Sequence, residues 1–247
     1  MEAITITDII NKYVSTHSSF TTTEFSEMLR TEFPKIGRST IYKILKDLCD
    51  DKRIFHIGRG SYAVNNARTS YTYELSDSAK ELATAIIDNF PLVDFQIWEL
   101  FQMNEFVNLL FAHNTIFIDV ESMAEEFVFN LLFGKYPHVL LNPSLEEYYR
   151  YAGDETIVIG RLVTEAPPCY GQYRQAPIEK LLVDLFGRGL SGSIVARSEY
   201  PAIYEDSFKK YNINQAKMFR YARRRGTEKS IREFIRQETD IHTEKES

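Results

Sequence analysis

Residues 54–64 read Ile54-Phe55-His56-Ile57, then Gly58-Arg59-Gly60, then Ser61-Tyr62-Ala63-Val64. Two β-prone runs joined by a glycine-flanked turn predict a hairpin. What precedes it narrows the choice of fold. Ile6, Ile9, Ile10, Tyr13 and Val14 recur at helical spacing and give one narrow apolar face. Thr21 with Glu24 three residues on is a capping-box signature, opening a second helix whose face carries Phe25, Met28 and Leu29 and which Pro34 ends. Gly37 breaks the chain, Ser39 is placed to cap, and Ile41, Ile44, Leu45 and Leu48 trace the buried stripe of a third helix. Three helices and a hairpin within 65 residues are the order of a winged helix-turn-helix, in which the third helix enters the major groove.

With that stripe turned inward, Arg38, Thr40, Tyr42, Lys43 and Lys46 fall on the opposite face. From Lys35 to Arg59 the chain has seven basic residues and three acidic ones, a local excess of four in a chain of net charge −6. Lysine and arginine on phosphates supply affinity, while a few side chains near the helix start read base edges. Lys43, Lys46 and Arg53 take the first role; Arg38, Thr40 and Tyr42 take the second, with Ser39 beside them. Arg59, in the turn, is a candidate for the minor groove. The competing reading is a protein-docking module whose lysines are a solvated face.

Residues 66–76 are polar with little periodicity and are read as a linker. Beyond them helix and strand patterns alternate: helix 77–89, strand 93–98, helix 101–111, strand 115–120, helix 122–133, strand 138–141, helix 144–151 and strand 156–163. The expected fold class is therefore two domains of α+β or α/β type, the winged helix at 1–65 followed by a mixed α/β domain at 77–238. Pro177 opens a helix to Phe186, Gly187 to Gly192 form a turn, more helix follows, and 239–247 are read as a disordered tail.

No apolar run approaches the ~20 residues of a membrane span, no leader pattern is present, and the expected location is cytoplasmic. Cys49 and Cys169 are far apart and form no ligand spacing with His113 or His138, so no metal, cofactor or catalytic set is assigned. Asp119 and Glu121 at a strand end could hold a divalent ion in a nuclease targeted to DNA by the winged helix, which stands as the alternative function. The simpler reading is that Glu121 sits near the start of the next helix, where a carboxylate favours the dipole and Ser122 can help to cap. From Lys209 to Arg225 there are seven basic residues and no acidic one, with Tyr211, Phe219 and Tyr221 interleaved. Lys217, Arg220, Arg223, Arg224 and Arg225 form a second candidate patch for DNA backbone or a protein.

The stretch Ala176-Pro177-Ile178-Glu179-Lys180-Leu181-Leu182-Val183-Asp184-Leu185, followed by Tyr221-Ala222-Arg223, resembles AbiEi-type antitoxins, with Leu181 in place of the usual small residue. That resemblance implies the non-enzymatic member of a type IV toxin–antitoxin pair. Its winged helix would bind double-stranded DNA and repress its own operon. Its C-terminal domain, more loosely 176–225, would counter a protein toxin similar to nucleotidyltransferases.

Overall fold

The computed structural model describes residues 6–51, 53–64 and 69–241. The chain is mixed α/β with two sheets among the described residues, and it divides into two compact units. Of the described residues, the first takes in those through Ser70 and also Phe208–Ala216; the second comprises Tyr71–Ser207 and 217–241. Of the expected linker and tail, 65–68 and 242–247 lie outside the described residues, as does Lys52.

In the first unit α1 (Ile6–Thr16), β1 (Ser19–Thr21), α2 (Thr22–Glu32) and α3 (Arg38–Asp50) precede a hairpin of β2 (Ile54–Gly58) and β3 (Ser61–Val64). All three helices form where the apolar spacing places them. Thr21 caps α2 through the capping box with Glu24. For α3 the cap is Gly37, not Ser39, which sits inside the first turn. The three-residue strand β1, hidden in a polar stretch, pairs antiparallel with β3 through Phe20↔Tyr62 and gives the sheet order β1-β3-β2. Ile10, Val14, Phe25, Leu29, Ile41, Leu45, Leu48 and Ile54 close one core beneath it. The returning segment is tied in by backbone bonds from Thr69 N to Lys210 O and from Asn212 N to Thr69 O.

The second unit contains α4 (Asp77–Asn89), β4 (Phe95–Glu99), β5 (Asn114–Val120), α5 (Glu125–Leu132), β6 (Val139–Leu141), α6 (Leu145–Tyr151) and β7 (Glu155–Arg161). Then follow α7 (Ile178–Asp184), α8 (Leu190–Ile194), α9 (Tyr200–Lys210), α10 (Gln215–Arg225) and α11 (Glu228–Glu238). The sheet order is β4-β5-β7-β6, with β4 antiparallel to β5 and β5, β7 and β6 mutually parallel. Side chains alternate across the sheet. Phe95, Ile97, Ile116, Ile118, Val120, Ile157 and Ile159 join one core with Leu82, Ile86, Val128 and Leu132 of α4 and α5. Trp98, Phe117, Asp119 and Val158 therefore take the opposite face.

In the second unit two elements depart from the sequence expectation. The stretch expected as helix 101–111 is a 3-10 turn, Leu100–Glu105, followed by irregular chain. Asparagine side chains capture the backbone there, Asn114 Oδ1 accepting from Phe101 N and Asn104 Oδ1 from Phe111 N, in competition with helical bonding. The glycine turn after α7 ends at Gly189, and α8 begins within the span expected as loop. Tyr71 and Leu75, expected in the linker, are buried.

Candidate nucleic-acid interface

Helix α3 buries Ile41, Leu45 and Leu48 and exposes Arg38, Ser39, Thr40, Tyr42, Lys43 and Lys46. Arg38, Tyr42 and Lys46, four residues apart, form one line along the helix. The Arg38 guanidinium lies 5.6 Å from the Tyr42 ring centre and donates to its hydroxyl at 3.4 Å, so the two side chains support each other at the surface. Ser39, Thr40 and Lys43 point to the neighbouring, fully solvated side.

The Arg38–Tyr42–Lys46 line borders a groove of about 940 Å³ whose other walls are α2, through Ser26 and Arg30, and the hairpin, through His56 and Arg59. Arg59 is exposed in the turn, and that turn is fixed in place. The carbonyl of Gly60 accepts from both Thr22 N (2.7 Å) and Thr22 Oγ1 (3.0 Å) at the start of α2. Gly60 has φ +74°, in the left-handed region glycine adopts without steric cost. Arg30, Arg38, Lys46 and Arg59 thus face one concavity against Glu27 and Asp50. Arg30 was not among the residues the sequence singled out; its position on the solvent side of α2, in the last turn, was the available signal. Arg53 is half-buried before β2 and lies outside the groove lining.

The second basic run does not form a bare patch. Lys209 and Lys210 end α9, whereas Lys217, Arg220, Arg223, Arg224 and Arg225 lie on α10. Arg220 pairs with Glu165 (3.2 Å), Arg223 with Glu228 (2.8 Å) and Arg225 with Asp184 (3.3 Å), while Arg224 donates to Thr164. The counter-charges missing from the local sequence arrive from other segments.

The two motif segments meet in the second unit. All seven residues of α7 are buried. Lys180 Nζ donates to Asp184 Oδ2 at 2.6 Å and also to Asp119 Oδ2, and Tyr221 donates to Asp184 Oδ1 at 2.9 Å. Burial on its own would lower the Lys180 ammonium, but the carboxylates of Asp119 and Asp184 outweigh it and raise it above the ordinary amine value. Lys180 therefore stays charged and is unsuited to act as a base. Glu121 turns away from Asp119, its Oε1 accepting from Asp94 N at 3.1 Å. Among the described residues no group of three or more His, Cys, Asp or Glu side chains is placed to hold a metal ion. Nor is any described helix long and apolar enough to cross a membrane.

Fold and sites together define a mixed α/β protein of two compact units, with a basic groove on the first and a buried ion cluster in the second. The chain belongs to a family of unknown function, DUF6577, whose match covers residues 40–241, from the first turn of α3 through the whole second unit. No curated protein matches the chain.

Proposed function

We propose that this protein is a DNA-binding transcriptional regulator, the antitoxin of a type IV toxin–antitoxin pair, with residues 6–64 acting as a winged helix. The convergence of Arg30, Arg38, Lys46 and Arg59 on one groove carries the reading, because affinity for a duplex comes first from cations arranged along a shape that tracks its backbone. The exposed start of α3 offers Arg38, Ser39, Thr40 and Tyr42 to base edges, with Lys43 on its flank for a phosphate. The antitoxin role rests on the resemblance of the α7 and Tyr221-Ala222-Arg223 segments. The nuclease alternative needs Asp119 free for an ion, and Lys180 already engages it.

The test is fluorescence anisotropy of the full-length protein on a duplex from its own promoter and on a scrambled duplex, across a salt series. Binding should weaken steeply with salt, and Lys43→Ala with Lys46→Ala should flatten the slope by about two units on both duplexes. Binding without salt dependence, or none at all, sinks the regulator reading. Cleavage of the duplex that needs a divalent ion and disappears in Asp119→Ala would put the nuclease in its place.

A further inference from the structure

A cavity of about 370 Å³ opens in the second unit where the parallel strands end. Asp119 is the penultimate residue of β5, Arg161 the last of β7, and Asn142 directly follows β6. In open α/β sheets, the space beyond the carboxyl ends of parallel strands is where small ligands sit. The cavity falls within the size range of pockets that enclose a small organic molecule.

Its charge is unbalanced. Arg161, Lys180, Arg188 and Arg225 line it against only two carboxylates, Asp119 and Asp184. Both acids are already engaged, Lys180 lying between them and Arg225 pairing with Asp184. Arg161 and Arg188 are exposed on the same cavity, and neither makes an ion pair or side-chain hydrogen bond among the described residues. Two uncompensated cations facing one small space repel each other and lower the cost of bringing in an anion. The same surplus opposes a divalent cation. Two guanidinium forks match the oxygens of a phosphate, each able to donate in pairs. A bare phosphate would fill only part of the space, and the remaining wall includes the apolar side chains of Leu145, Val163 and Leu190.

We propose that this cavity is a binding site for a small organic phosphate monoester, with Arg161 and Arg188 holding the phosphate dianion. Lys180, bonded to Asp119 of β5 and to Asp184 of its own helix, forms the fixed floor that ties the strand end to α7. The site is independent of the groove on the first unit, and its test uses no readout from that groove.

Trp98 lines the cavity, stacked on Phe117 at 4.1 Å, and it is the only tryptophan of the chain, so its fluorescence reports on occupancy. The full-length protein is titrated with adenosine 5′-monophosphate, glucose 6-phosphate, inorganic phosphate and adenosine, with calorimetry in parallel. A saturable response to at least one monoester, weaker for inorganic phosphate and absent for adenosine, is expected. Arg161→Gln and Arg188→Gln should each weaken it roughly tenfold or more, the worth of a charge-assisted contact. Both arginines are exposed, and unchanged circular dichroism and melting temperature verify that the variants fold.

The proposal is overturned if neither monoester binds up to about 10 mM, a concentration that covers even weak millimolar affinity. It is overturned equally if adenosine binds as well as its monophosphate, or if the double variant binds as the parent does. A duplex of arbitrary sequence is added as competitor. Displacement of the monoester at equal phosphate concentration would assign the site to a nucleic-acid backbone and remove the small molecule.

Discussion

Arg38 and Tyr42 show how little of a side chain's role its own position reveals. Spacing places both on the solvent face of α3, and their mutual contact orders a guanidinium that would otherwise be free. Tyr42→Ala should therefore cost base preference at the same positions as Arg38→Ala, by ~1–3 kcal/mol each and less than additively. A double-mutant cycle on promoter duplexes measures this; strict additivity would show the pair to be uncoupled. Glu228 offers a pH prediction. Hydrogen bonding to Arg223, and then to Arg232, holds its carboxyl below the usual 4.5, against the opposing effect of burial. A carboxyl lowered on folding contributes stability above its unfolded value, and that contribution is lost as pH falls through the folded value. Glu228→Gln should cost about 1 kcal/mol at neutral pH, a modest figure because Arg223 is 72% exposed, and the gap from the parent should close below pH 4.5. Urea melts at both pH values check it. The ion cluster marks the limit of sequence reading at this scale. Lys180 and Asp184 are four residues apart and legible as one helix face, but Asp119 lies 61 residues from Lys180, and only the packing of α7 on β5 brings it in.

Elements with a clear period were the legible ones. α3 follows from its apolar spacing and α2 from the capping box of Thr21 with Glu24; at α6 the box of Ser144 with Glu147 is seen in the structure. The strand β1 was not legible, because three residues with one buried side chain carry no period; pairing with β3 makes it a strand. The same holds for α8, Leu190-Ser191-Gly192-Ser193-Ile194, whose first three residues fall in the stretch Gly187 to Gly192 that reads only as a turn. Its glycine has a packing reason. A Cβ on Gly192 would stand 2.6 Å from the carbonyl oxygen of Leu185 and 2.7 Å from that of Gly187, both backbone atoms of the chain just past α7. Gly192→Ala should force α8 away from α7 and destabilise the second unit by ~1–3 kcal/mol, the usual penalty of overpacking. The Tyr200 hydroxyl lies within donor reach of the carbonyls of Leu185 (2.6 Å) and Gly192 (3.0 Å) and would lose that contact, and hydrogen exchange should quicken at the amides of Leu185 and Gly187, which donate to Leu181 O and Asp184 O. A variant as stable as the parent would mean that the two backbones separate without cost.

At the scale of the molecule, the boundary between units is not a single point in the sequence. Composition placed it in a polar linker after residue 65, and the contacts divide the chain after Ser70, close by. The return of Phe208–Ala216 to the first unit was invisible, because the chain past the glycine turn reads only as further helix of one C-terminal domain. That return is held by a parallel bridge between Thr69 and Tyr211, flanked by the backbone bonds Thr69 N to Lys210 O and Asn212 N to Thr69 O, each 3.0 Å. A fragment ending at Ser70 keeps α1, α2, α3 and the hairpin, and therefore the basic groove, but loses the partners of Thr69. Two backbone hydrogen bonds at about 1 kcal/mol each set the scale of the loss, against the few kcal/mol that a unit this small holds in total. The fragment 1–70 should consequently unfold at lower urea than the same unit in the full chain, with Tyr62 and Phe25 amides exchanging faster. It should still show salt-dependent affinity for a duplex wherever it is folded. Equal protection of those amides in fragment and full chain would show that the returning segment lies on the first unit without supporting it. Loss of DNA affinity in a fragment that remains folded would move the interface away from the groove of Arg30, Arg38, Lys46 and Arg59.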